Sequence, residues 1–89
     1  MEFEWDPRKN ASNIRNHGIP FGYATRVLLD EQRLERIDDS EDYGETRLVT
    51  IGLVDEREIV VVYTMRHERV RIISAREADR NEIEAYWNR

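Results

Sequence analysis

Arginines crowd the run from Val60 to Arg76, VVVYTMRHERVRIISAR, where two β-rich segments meet at a tight turn. Pairing them about His67-Glu68 sets Arg66 opposite Arg69, Thr64 opposite Arg71 and Val62 opposite Ile73, on one face, because strand side chains alternate. The other face carries Val61, Tyr63, Met65, Val70 and Ile72, which is core material. Like charges directly opposite one another destabilise a ladder. An anion resting between them would offset that repulsion, since a guanidinium is a rigid fork that matches carboxylate and phosphate geometry. By the same alternation Arg76 falls on the face opposite Arg71, unless the strand ends or bulges near Ser74. The competing role for this cluster is a solvated hairpin end, ion-paired to acids such as Glu68 or Glu77.

Composition limits what such a site can be. The 89 residues suit a single domain, 1–89, with one core. There is no cysteine, so neither a disulfide framework nor a thiolate metal site is available. His17 and His67 lie far apart in sequence without a clustered acidic partner, so no metal site or other cofactor is expected. No apolar run approaches a membrane span and the N-terminus has no signal-peptide core, so a soluble, cytoplasmic chain is expected. The net charge of -5 argues against binding duplex nucleic acid by bulk electrostatics. Its distribution is uneven: Asp30 to Glu45 holds eight acids against two arginines, whereas Arg66 to Arg76 holds four arginines against one acid. Lys9 is the only lysine, a bias toward the side chain best suited to anion contacts.

The elements that must position these residues follow from pattern and punctuation. Phe3 to Trp5 alternates as a short edge strand would. Asp6-Pro7 starts a helix, Asp capping free amides and Pro filling the first helical position without an N–H to waste. Gly18 ends it as a left-handed cap, with Ile19 and Pro20 beyond. A second helix over about Phe21 to Leu29 puts Phe21, Ala24, Val27 and Leu28 on one stripe. Leu34 and Ile37 are weak anchors of a period-two pattern. Leu48 to Val54 and Ile59 to Met65 are strong strands joined by the polar turn Asp55 to Glu58. Asp38 to Glu45 has no apolar period and reads as a mobile loop, free to dock on a basic partner or to cover the arginines. Asp79 and Glu82 have capping-box spacing at the start of a last helix that presents Ile83, Tyr86 and Trp87; Ser74 with Glu77 has the same spacing and offers an alternative start. Trp5, Phe21 and Trp87 are core anchors. The expected fold is α+β: a short N-terminal strand, two helices, a three- to four-stranded antiparallel sheet and a C-terminal helix. Both sides of Val60 to Val62 are apolar, which predicts that each face is covered at the sheet centre.

Four motifs in order suggest a family. The opening F-E-W-D-P-x-K at Phe3 to Lys9, N-x-x-x-H-G at Asn13 to Gly18, T-I-G at Thr50 to Gly52 and R-x-R-I-I-S-A-R at Arg69 to Arg76 together resemble the BrnT toxins of bacterial type II toxin–antitoxin pairs. The resemblance spans Phe3 to about Tyr86. It implies a RelE-like ribonuclease fold and RNA cleavage, of mRNA that could be ribosome-associated, that arrests translation. It also implies neutralisation by a BrnA-like antitoxin with a ribbon-helix-helix part, so that DNA is met only through the antitoxin. The chain departs from the family pattern at Asn16, where a basic residue is usual, and in the C-terminal helix, which is poor in arginine here. Both changes remove positive charge and predict weaker RNA affinity or a substrate presented in its own context.

A ribonuclease without a metal lets the RNA 2′-OH attack the adjacent phosphate, so the protein must orient that phosphate, stabilise its charge and move two protons. Arg71 and Arg76 are the candidate catalytic arginines, and Arg66 and Arg69 the candidate phosphate contacts. His67, Tyr86 and, secondarily, His17 are the candidates for proton transfer. Each has a structural competitor: His67 as a turn residue, His17 as a cation at a helix C-terminus, Tyr86 as the edge of the helix stripe. An inactive toxin-like partner that acts only as a co-repressor within its antitoxin complex is the alternative from another class.

Overall fold

The computed structural model describes residues 1–89. Strand β1 (Phe3–Trp5) leads into helix α1 (Pro7–His17), then the single turn α2 (Phe21–Ala24) and a 3₁₀ segment (Thr25–Leu29). Strands β2 (Leu34–Asp38), β3 (Arg47–Val54), β4 (Arg57–Arg66) and β5 (Arg69–Glu77) follow, and helix α3 (Arg80–Trp87) ends the chain. They form an α+β domain around one five-stranded sheet of order β1-β5-β4-β3-β2, larger than the expected three to four strands. Four of its strands form an antiparallel meander, and β1 adds to β5 in parallel. The two edge strands are short, three and five residues, so their hydrophobic alternation is weak.

Local chemistry accounts for the ends. The Asp6 carboxylate accepts from the Arg8 N–H at 2.8 Å, Pro7 sits in the first turn, and Gly18 closes α1 at φ 70°. The second helix is shorter than the expected Phe21 to Leu29, tightening into 3₁₀ at Thr25, whose hydroxyl donates to the Gly22 carbonyl at 2.7 Å. That tight segment lies directly on β3 at Gly52. A Cβ there would meet the Val27 carbonyl oxygen at 2.9 Å and its Cγ1 at 2.8 Å, so only glycine admits this approach. Asp79 and Glu82 form both halves of the capping box that starts α3.

Two layers cover the sheet. On the first face Ile59, Val61, Tyr63, Val70, Ile72 and Ala75 pack beneath Ile19, Phe21, Ala24, Val27 and Leu28. Phe21 is fully buried with Trp5 edge-on to its ring at 6.2 Å, and burial of one such ring stabilises by about 1.5–3 kcal/mol. On the reverse face Val49, Ile51 and Val60 pack against Tyr86 of α3. The expected cover of both faces at the sheet centre is therefore present. Met65 and Trp87 are not core residues as expected; they remain 55% and 57% exposed. The helical layer stops short of the β4–β5 turn, leaving Met65 open, and Trp87 lies at the rim with its indole N–H donated to Glu58 at 2.9 Å.

Asn13 joins the layers. Its Nδ2 donates to the carbonyls of Ile19 at 2.9 Å and Ala75 at 2.8 Å, and its Oδ1 accepts from the Ala75 N–H at 3.2 Å. β1 pairs with β5 only as far as Ile72, so this side chain takes over the outward-facing backbone groups that a longer β1 would have met.

Candidate functional site

The β4–β5 hairpin closes at His67 and Glu68 with φ of 50° and 65°, a primed turn built without glycine. Arg66 lies opposite Arg69 and Thr64 opposite Arg71, as alternation requires. The ladder then shifts. Tyr63 pairs with Ile72 but Val62 pairs with Ser74, so Ile73 is an extra residue of a β-bulge, not the partner of Val62. One added residue inverts the parity beyond it. Arg76, opposite Val60, consequently joins Arg71, opposite Thr64, on the same face of the sheet.

That face is read most simply in rows across the strands. Glu4, Arg71, Thr64, Arg47 and Asp38 form one continuous row across β1, β5, β4, β3 and β2. Ser74, Val62, Val49 and Arg36 form the next, and Arg76, Val60, Ile51 and Leu34 the third, where α3 begins to cover the sheet. Arg66 and Arg69 stand at the turn end. The face thus presents Arg36, Arg47, Arg66, Arg69, Arg71 and Arg76. Arg36 and Arg47 were not anticipated as site residues; the parity of β2 and β3 relative to Val49 is the signal that would have placed them.

Carboxylates of the same chain already meet most of these arginines. Arg71 is paired with Glu4, and both side chains are about three-quarters buried, with relative exposures of 26% and 24%. Arg76 forms a two-pronged pair with Glu82 at 2.7 and 2.8 Å. Arg47 pairs with Glu45 at 3.0 Å, Arg66 approaches the same carboxylate at 3.9 Å, and Arg69 meets Glu2 at 3.5 Å. The partners are not the expected Glu68 and Glu77; Glu77 instead binds Arg57. Glu82 raises Arg76 above the usual arginine range through their hydrogen bonds, and Arg76 holds Glu82 below the usual glutamate range. Arg36 has no carboxylate within ion-pairing distance.

The acidic segment is organised over this face. Asp38 accepts from the Ser40 N–H and hydroxyl and from the Tyr43 hydroxyl, and the Arg47 guanidinium sits 3.9 Å from the Tyr43 ring centroid. Through Glu45 and Tyr43 it covers Arg47, which is not one of the hairpin arginines it was expected to meet.

The three candidate proton carriers are not brought together. His67 occupies the exposed turn between Arg66 and Arg69, at the edge of the arginine face. His17 ends α1, which packs on the opposite side of the sheet. Tyr86 is buried beneath α3 and donates its hydroxyl to Asp30, which also accepts from the Leu53 and Gln32 N–H groups. Burial, then the bond to Asp30, pushes the Tyr86 phenol up to about 12. Burial would raise Asp30, but its hydrogen bonds from Tyr86, Leu53 and Gln32 outweigh it and leave the carboxyl below the usual range. Tyr86 fastens α3 to the sheet and does not reach the arginines.

Fold and surface together define a small single-sheet α+β domain with one helix-covered face and one cationic, partly open face. A family model described as the ribonuclease toxin BrnT of type II toxin–antitoxin systems matches residues 5–82. The chain belongs to that family, and the family implies an antitoxin partner. A search of curated proteins found no match. No helix is long and apolar enough to cross a membrane.

Proposed function

We propose that this toxin is a metal-independent endoribonuclease whose arginine face holds the scissile phosphate of single-stranded RNA. The observation that carries the proposal is the bulge at Ile73, which sets Arg71 and Arg76 on one face with Arg66 and Arg69 at its turn end. Arg71 and Arg76 contact the reacting phosphate and stabilise the charge that builds on it; Arg66 and Arg69 hold the flanking backbone. The ribose 2′-oxygen forms a bond to phosphorus as the bond to the 5′-oxygen breaks, leaving a 2′,3′-cyclic phosphate and a 5′-hydroxyl. The 2′-OH gives up one proton and the departing 5′-oxygen takes one. His67 is the candidate that reaches this face for proton transfer; Tyr86 and His17 are directed elsewhere. Binding exchanges the carboxylates of Glu4 and Glu82 for phosphate oxygens.

In this reading the toxin acts in the cytoplasm on mRNA, arrests translation, and is neutralised by a BrnA-like ribbon-helix-helix antitoxin, which supplies any contact with DNA. Purified protein should cut an unstructured RNA in excess EDTA, and Arg71→Ala and Arg76→Ala, verified as folded, should lose that cleavage. An absence of cutting together with harmless expression in cells would transfer support to the co-repressor reading.

A further inference from the structure

Next to the arginines, the first turn of α3 and the β2–β3 edge enclose a slot of about 240 Å³. Its floor is apolar, made by Leu34, Val49 and Ile51; its wall carries Asn81 and Ala85 together with Asp79 and Glu82, whose carboxylates are engaged in the capping box of α3 and, for Glu82, by Arg76, and Arg36 stands at its rim. The volume is below the roughly 300 Å³ at which pockets for drug-sized ligands begin, so it has room for one ring system. Two groups here lack a partner in the fold: Arg36 makes no ion pair, and the exposed Asn81 side chain makes no hydrogen bond. Asn81 can both donate and accept, as base edges require.

The slot is continuous with the phosphate-binding face. Val49 is two residues beyond Arg47 on the same side of β3, roughly 7 Å along the strand. Ile51 lies in the same row as Arg76, two strands away, roughly 10 Å across the sheet. These separations are those between a nucleotide's phosphate and its own base. We infer that the slot between α3 and the β2–β3 edge is a nucleobase subsite, in which one base of the RNA lies on Val49 and Ile51 and is read by Asn81 while Arg36 meets a neighbouring phosphate. The inference rests on the phosphate-binding reading of the arginine face and adds the element that would give cleavage its base preference.

Methyl, side-chain amide and arginine Nε–H NMR of the full chain tests it without relying on cleavage. The four nucleoside 3′-monophosphates should shift the Leu34, Val49 and Ile51 methyls and the Asn81 amide, whereas ribose 5-phosphate should perturb the arginines alone. Ala85→Trp, which fills the slot from its exposed wall, should abolish the base-dependent shifts and keep those caused by ribose 5-phosphate. Asn81→Ala should narrow the spread of Kd among the four nucleotides. An identical footprint for nucleotides and ribose 5-phosphate, no base-dependent shift at millimolar nucleotide, or base-dependent shifts that survive Ala85→Trp would each overturn the subsite. Failure of the ribonuclease reading shows separately, as intact RNA in the EDTA assay.

Discussion

Replacing Glu4 by Gln asks whether Arg71 awaits a phosphate or simply completes an ion pair. The substitution keeps shape and hydrogen bonding on β1 but removes the negative charge in contact with the Arg71 guanidinium. A phosphate that takes the place of Glu4 on that guanidinium would leave the displaced carboxylate about 6 Å away, where like charges repel by about 0.7–1.4 kcal/mol at an effective dielectric of about 80 down to 40. Removing the repulsion should tighten binding about three- to tenfold. Fluorescence anisotropy with a 2′-O-methyl oligonucleotide, which cannot be cut at its 2′ position, isolates affinity from chemistry. The gain should shrink as salt rises from about 0.1 to 1 M, because the screening length falls from about 10 to 3 Å. Glu56→Gln, in the hairpin turn at the opposite end of β4, supplies a control of equal net charge change. Equal effects of the two substitutions, or no tightening by Glu4→Gln at low salt, would refute phosphate binding at Arg71.

Four further outcomes follow from the fold and its titrating groups. Asn13→Ala should destabilise by about 2–4 kcal/mol in urea unfolding, since it strips partners from three backbone groups around a side chain only 6% exposed; a loss under about 0.5 kcal/mol would mean water replaces it freely. Tyr86→Phe should lower stability by about 1–2 kcal/mol through the lost bond to Asp30 while RNA cleavage persists in the folded fraction; abolished cleavage in a folded variant would restore Tyr86 to the catalytic set. The folded state holds the Tyr86 proton to about 12 against an ordinary 10.0, so the wild type should lose stability as pH rises through that window, and Tyr86→Phe should flatten the loss in an alkaline unfolding series. Glu56→Gly should raise the melting temperature, because Glu56 occupies left-handed backbone at φ 66°, a conformation costing a side-chain-bearing residue about 1–2 kcal/mol, of which glycine's greater unfolded-state entropy returns about half; a lower melting temperature would contradict this.

The parts of this fold legible in sequence were those with strong local physics. Asp6-Pro7, Gly18 and the Asp79–Glu82 pair marked helix ends because capping depends on residues a few positions apart. β3, β4 and β5 showed through their dense apolar alternation. β1 and β2 were faint because strands of three and five residues are too short to show a clear alternation. The bulge at Ile73 was anticipated only as a condition on Arg76, since a one-residue insertion leaves no compositional trace in a run of apolar residues. Trp87 and Met65 misled because residue type indicates an appetite for burial, whereas the extent of a packed layer decides whether it is met. The ion partners Glu2, Glu4, Glu45 and Glu82 come from separate segments brought together only by the sheet order.

Those carboxylates explain how a chain of net charge -5 can carry the phosphate-binding face proposed for it. Six arginines stand on it, Arg36, Arg47, Arg66, Arg69, Arg71 and Arg76, and Glu2, Glu4, Glu45 and Glu82, with Asp38 in the same row as Arg47 and Arg71, offset most of their charge. Such a face attracts polyanions weakly at long range but offers correctly oriented guanidinium groups at contact. Each phosphate that docks displaces a carboxylate, and the freed carboxylate then opposes the neighbouring phosphates, so affinity should depend on salt less steeply than the number of arginines alone requires. In the proposed reading, indiscriminate capture of nucleic acid is thereby suppressed, and discrimination passes to contacts a passing duplex cannot make: a strand flexible enough to lie along the rows, and one base placed beside Asn81.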